Sequence, residues 1–309
     1  MKKRLKILLC ILGIIIGVIV LVFLITNGKY LLQKSNFKEE KLLVQGNHSR
    51  YVPQGLTYDS THNIVIQTSY QKDHKVSKVF VSDFDSGKVL HTYSLYDQDN
   101  HPIVGHVGGI ATDSKTVWIT SDNTVWEFFI DDFLKDSKKI YSIREEKLPI
   151  RGDFCTYYQN ELWIGDFYQP IFWKVKNNTP LLFTYDVNDE IDYNNPNKIT
   201  SLPKTIQGMA ITNDSIYFTH SYTFLNPSKL SIYHNIYNGN TTDSYSFNGK
   251  KIPYYHFLSN SLEKTTSLSP MAEGIFYKEH KLYLLFESSS DAYPLAFPKI
   301  KNILSYKVK

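Results

Sequence analysis

Residues 270–290 read PMAEGIFYKEHKLYLLFESSS, two short apolar stretches about a charged turn, with a carboxylate near each outer end, Glu273 and Glu287. Short apolar runs on either side of a charged turn are the pattern of a β-hairpin built for a core. Positions equidistant from a hairpin turn face each other. A turn centred between Glu279 and His280 places Glu273 opposite Phe286 and diagonal to Glu287. Both acids then fall at one end of the strand pair.

The same phrase recurs along the chain. VPQGLTYDSTHNIVIQTSY begins at Val52, HVGGIATDSKTVWITSDN at His106, RGDFCTYYQNELWIGDF at Arg151, IQGMAITNDSIYFTHSY at Ile206 and MAEGIFYKEHKLYLLFES at Met271. The aligned positions Gly55, Gly109, Phe154, Gly208 and Gly274 recur at intervals of roughly 45 to 65 residues. Repeats of that length, with several strands each, indicate a β-propeller.

Outer strands are expected between the hairpins. They are SKVFVSDF and KVLHTYSLY for the first blade, TVWEFFI and KKIYSI for the second, IFWKVK and LLFTYDV for the third, and KLSIYHNI and DSYSF for the fourth. The fifth has only KNILSYKVK, so EKLLVQ at residues 40–45 is expected to complete it and close the ring. The fold class is thus all-β, a five-bladed propeller of four-stranded blades, preceded by one transmembrane helix. Glycine suits the innermost strands, where neighbouring backbones crowd the axis. Phe154 breaks that rule.

Composition agrees: aromatics make up 15% of the 309 residues, which favours strands. The formal charge of +4 is matched by Lys2, Lys3, Arg4 and Lys6, leaving a balanced remainder with no electrostatic case for nucleic acid. Behind that basic cluster lies ILLCILGIIIGVIVLVFLI, Ile7–Ile25, comparable to the about 20 apolar residues that span a bilayer. The expected organisation is a cytoplasmic basic tail (1–6), a signal-anchor helix (7–25), a linker (26–37) and an extracytoplasmic propeller (38–309). A cleaved signal peptide shares the basic start, but the run exceeds an ordinary h-region and no A-x-A-like site follows it. Cys10 lies inside the run, and Cys155 reads as a small buried hydrophobe without a disulfide partner.

In a propeller, the start of each innermost strand and the end of the next meet beside the axis. Gln54, His106, Asp122, Asp153, Asp166, Gln207, His220, Glu273 and Glu287 are therefore expected around one axial mouth, rimmed by Tyr70, Phe167, Tyr168, Tyr222 and Tyr293. Polar mouths often serve only to hold water and loop backbone. Five carboxylates, two histidines and two glutamines exceed that need, and crowded acids perturb one another's titration as functional sites do. No G-x-S-x-G, H-E-x-x-H, P-loop, C-x-x-C or dinucleotide signature occurs. Ser221 beside His220 points to the opposite strand face, so the two form no dyad.

The P-x-G-L-x-Y-D phrase and the span from about Lys38 resemble a group of extracytoplasmic bacterial propellers. AEGIFYKEHKLYLLFES is similar to the acid-bearing strand pair of five-bladed arabinanase- and xylosidase-type glycosidases. That resemblance implies Glu273 as general acid and Asp153 as general base, although Gln54 stands where those enzymes keep a base. The chain also resembles gluconolactonase-like six-bladed propellers, which would imply Ca²⁺ on the axis held by Glu273, Asp153 and Asp166. The expected function is binding of a small molecule, glycan or peptide; hydrolysis of a glycosidic or ester bond is the alternative.

Overall fold

The computed structural model describes residues 2–46, 49–168, 179–188 and 190–308. The expected strand IFWKVK, at 171–176, lies outside them. Helix α1 (Lys2–Gln33) leads into β1 (Phe37–Leu43). Blade one holds β2 (Tyr51–Asp59), β3 (Ile64–Gln71), β4 (Lys75–Asp83) and β5 (Val89–Tyr96). Blade two holds β6 (Gly109–Thr112), β7 (Thr116–Ser121), β8 (Thr124–Phe129) and, after β9 (Lys139–Tyr141), β10 (Arg144–Lys147). Blade three holds β11 (Phe154–Tyr158), β12 (Glu161–Gly165), β13 (Leu181–Asp186) and β14 (Lys198–Ser201). Blade four holds β15 (Ile206–Ile211), β16 (Ser215–His220) and β17 (Ser228–His234); after the hairpin β18 (Ser244–Phe247) and β19 (Lys250–His256) comes its outer strand β20 (Leu262–Leu268). Blade five holds β21 (Ala272–Lys278), β22 (Lys281–Phe286) and β23 (Asn302–Lys307), completed by β1 antiparallel to β23.

The propeller closes as expected, except that LLFTYDV is the third strand of blade three and not its outer one, since β13 pairs with β12 and β14 follows it. Two further assignments change at the rim. KKIYSI does not supply the outer strand of blade two, because its residues form β9, which pairs in parallel with β5 of blade one. DSYSF does not supply that of blade four, because β18 pairs with β19, which joins β14 of blade three in parallel. In both cases the chain reaches back and covers the exposed edge of the preceding blade, leaving β10 and β20 to finish their own blades.

Each gap between blades is filled by its own apolar cluster, since successive strand residues point to opposite faces. Ile64 and Ile66 face blade two beside Ile110, Val117 and Ile119. Val65 between them faces blade five beside Phe276, Tyr283 and Leu285. Cys155 is buried in the gap between blades two and three, and burial pushes its thiol up to about 12. At the axis the backbones meet directly. A Cβ on Gly108 would lie 2.3 Å from the carbonyl oxygen of Asp153, and one on Gly274 2.5 Å from the amide of Leu56. Glycine is required at these close approaches.

The residues read as a linker, 26–37, continue α1 to Gln33 before a 3-10 turn at Lys34–Asn36. A stripe of Phe23, Thr26, Asn27, Tyr30 and Gln33 turns toward the propeller while residues 5–22 are exposed. Tyr30 is 1% exposed among residues of blades four and five, and Gln33 accepts a hydrogen bond from the Ser267 amide.

Candidate functional site

Three inner strands carry the same irregularity at the end where they begin. In blade one Gln54 and Gly55 together face Thr68; in blade five Glu273 and Gly274 together face Leu285; in blade four Gln207 is the extra residue between two paired positions. A bulge of this kind re-aims a side chain toward the opening. It also corrects the simple hairpin register, since Phe286 faces Ala272 and His220 faces Ile206. Four blades enter the inner strand through a left-handed residue: Val107 (φ 46), Gly152 (φ 67), Thr205 (φ 68) and Met271 (φ 68). For β-branched Val107 and Thr205 that conformation is strained, a cost found where surrounding structure fixes a functional backbone.

Gln54, Glu273 and Glu287 meet across the seam between blades five and one. The Gln54 amide donates to Glu287 Oε1 and to the carbonyl of Pro53 at 2.9 Å. Glu273 is 3% exposed, and burial followed by the charge of Glu287 holds its carboxyl well above the usual range. Burial also pushes Glu287 up to about 7, against hydrogen bonds from Gln54 and Tyr293 and the charge of Lys72. Withdrawal from water and mutual repulsion thus favour the protonated forms of these acids. Tyr70 and Tyr293 are hydrogen-bonded to each other beside the pair, and burial pushes the Tyr70 phenol up to about 12. The Lys72 ammonium lies 3.7 Å from the centroid of the Tyr293 ring.

The Tyr70 ring also lies 4.3 Å from the exposed imidazole of His106, which links this group to a second one. Surrounding protein holds His106 below its ordinary value, against the opposite pull of Asp122 and Asp153. Asp153 accepts from the Phe167 amide at 2.8 Å and pairs with Arg151 at 3.0 Å. Desolvation nevertheless pushes its carboxyl up to about 6, with Asp166 and Asp122 adding to the effect. Asp166 accepts from the Arg151 amide at 2.7 Å, so part of its role is to hold the turn into β11; desolvation raises its pKa. Asp122, at φ 50, accepts from the Ser121 hydroxyl at 3.0 Å.

Among the described residues the side chains of Gln207 and His220 make no hydrogen bond to these acids. Gln207 is partly exposed at its bulge. His220 shares a cleft with Lys204, Tyr222, Lys229 and Ser231. Its Nδ1 donates to the Lys204 carbonyl at 3.0 Å, and Nε2 has no partner among the described residues. Phe167 contributes its backbone amide, and Tyr168 lies under Lys204, whose ammonium is 5.4 Å from the ring centroid. Lys72 and Arg151 were not among the expected residues, though each lies two positions from one that was, Tyr70 and Asp153. Among the described residues no group of three His, Cys, Asp or Glu side chains, Glu273, Asp153 and Asp166 included, is placed to hold a metal ion. A cavity of about 510 Å³ opens at the other end of the axis, lined by Thr57, Thr112, Thr156, Tyr157 and Tyr277.

No family model matches the chain, and no curated protein matches it. Solved structures similar to it include the glutaminyl cyclase of Myxococcus xanthus, at 8% identity and a TM-score of 0.47 over 84% of this chain and 93% of that one. The hydrazine synthase of Kuenenia stuttgartiensis is similar at 10% identity and a TM-score of 0.41, over 78% of this chain and 58% of that one. The Dos1 propeller is similar at 8% identity and a TM-score of 0.34, over 76% and 55%. The five-bladed architecture stands on the sheet order itself.

Proposed function

We propose that this protein is a membrane-anchored, extracytoplasmic receptor that takes a polar small molecule, glycan or peptide into the axial mouth. The Glu273–Glu287 pair carries this reading. Two carboxyl groups withdrawn from water, with Gln54 and Tyr293 as hydrogen-bonding neighbours, form an acceptor-rich pocket suited to hydroxyl or amine donors. The rings of Tyr70, Tyr293 and His106 supply flat apolar surface beside it. The stripe of α1 on the propeller supports an anchor that stays attached, because cleavage within the helix would strip cover from the core around Tyr30.

A thermal-shift screen of sugars, amines and short peptides against wild type and Glu287→Gln tests the proposal. Compounds that stabilise wild type and lose most of that shift in the variant support it. Compounds that stabilise both equally bind elsewhere, and a screen yielding only these overturns it.

Hydrolysis is the second reading, favoured by the titration states. Burial and the charge of Glu287 push Glu273 toward the protonated form that a general acid requires, and Asp153 is the candidate base. Glu273→Gln would then abolish turnover and retain binding, whereas a receptor has no turnover to lose.

A further inference from the structure

The direction in which α1 leaves the propeller fixes which end faces a membrane. Phe23 packs edge-on against Phe297, ring centroids 5.3 Å apart, in the loop between β22 and β23. That loop starts after Phe286, paired with Ala272, and ends at Asn302, paired with Leu43. It therefore lies at the end of the ring where the inner strands begin, the end that holds Glu273, Glu287 and Asp153. Further along the helix, Tyr30 meets Phe37, and Phe37 meets Tyr306 toward the opposite end of β23. So α1 runs along the outside of the propeller, and residues 5–22 project past the acidic mouth. At about 1.5 Å per residue this exposed stretch, apolar apart from Lys6, is about 27 Å long, close to the about 30 Å of a hydrocarbon core.

The loops at the same end expose apolar side chains that nothing in the fold requires. Leu295 is 79% exposed, Phe297 60% and Leu225 51%. Leu295 and Phe297 flank the point where the helix departs, so they continue its apolar surface sideways from the bilayer's edge. Large apolar groups left beside a membrane-entering helix gain free energy by seating in the interfacial zone. Lys72, Arg151 and Lys204 on neighbouring loops at this end suit contact with lipid headgroups.

We propose that the acidic mouth faces the bilayer, with Leu295 and Phe297 seated in its interface, and that the ligand is one presented at the membrane surface. This rests on α1 being an anchor and deepens the receptor reading by naming where its ligand resides. The cavity at the opposite end of the axis then faces away from the membrane.

Full-length protein in a Cys10→Ser background, carrying Leu295→Cys, Leu225→Cys or Ser60→Cys, is labelled with a polarity-sensitive fluorophore. Cys155 is buried, and Ser60 lies in the β2–β3 turn at the far end. In phosphatidylcholine vesicles bearing a shallow nitroxide, labels at 295 and 225 should lose several-fold more fluorescence than the label at 60. Equal quenching at 295 and 60, or none at 295 in protein that floats with the vesicles, overturns this orientation while leaving the anchor intact. Protein that does not float with the vesicles overturns both.

Discussion

Phe154 and Gly165 exchange the sizes that their blade positions carry elsewhere. Gly109 faces Thr120 and Gly208 faces Thr219 across the inner hairpins, and Gly55 donates to Thr68; blade three pairs Phe154 with Gly165 instead. A Cβ on Gly165 would lie 2.2 Å from the Phe154 ring. The threonines bridge blades, Thr68 donating to the Val107 carbonyl at 2.6 Å and Thr219 to that of Glu273 at 2.6 Å. Blade three fills the same space with a ring. Gly165→Ala should cost about 1–3 kcal/mol through overpacking. Phe154→Gly should cost at least about 3 kcal/mol through the cavity it leaves. The double change Phe154→Gly with Gly165→Thr should cost less than Phe154→Gly alone, because it rebuilds the pairing of the other blades. Urea unfolding of the three variants measures this.

Thr205 adopts a left-handed backbone ahead of β15, with its amide donating to Tyr168 and its carbonyl accepting from Ser221. Among the described residues its hydroxyl bonds only the neighbouring Lys204 carbonyl. Thr205→Gly should therefore stabilise the fold by about 1 kcal/mol, the order of the penalty for a side chain in this region. A lower urea midpoint in the variant would contradict strain at this position.

Glu287 is raised from 4.5 to about 7 and Asp153 from 3.8 to about 6. For acids raised on folding, the native state binds more protons than the unfolded chain between the two values. Their contribution to stability is complete below the unfolded values and is lost as pH climbs through the folded ones. Melting temperature should thus fall from pH 5 toward pH 8, and Glu287→Gln should flatten the upper part of that fall. A melting temperature that rises over this window in wild type would refute the buried-acid account.

Tyr30 is a helix residue inside the propeller's core, touching the ring of Phe37. Tyr30→Ala should cost about 3 kcal/mol, the order of other large aromatic truncations. The exposed neighbour Leu32→Ala should change little. Calorimetric melting of both proteins in detergent separates a packed helix from a passive leash.

The five inner hairpins were legible because burial on both faces forces short continuous apolar runs between polar turns, which a sequence displays directly. The closing role of the N-terminal strand followed from a missing edge, and β1 fills it. The rim strands were assigned to the wrong blades because β9 adds in parallel to β5 and β18 reaches blade three only through its hairpin with β19, and no local pattern reports a return to an earlier blade. The bulges at Gln54, Gln207 and Glu273 were invisible, since an extra residue in one strand does not alter the composition of either. His220 was placed at the mouth by position alone, whereas alternation turns its ring into the gap beside Phe218, centroids 6.3 Å apart. Lys72 and Arg151 followed no pattern of repetition, so nothing in the repeat drew them out.

The pairing of β1 with β23 has a mechanical meaning for a tethered protein. Any tension transmitted through α1 arrives at the junction where the two ends of the polypeptide hold the circle shut. The packed turn around Tyr30 stands between the tether and that fastening and takes the load first. Disengaging the helix from blades four and five would pass the strain to the clasp, and from there the whole ring could be prised open.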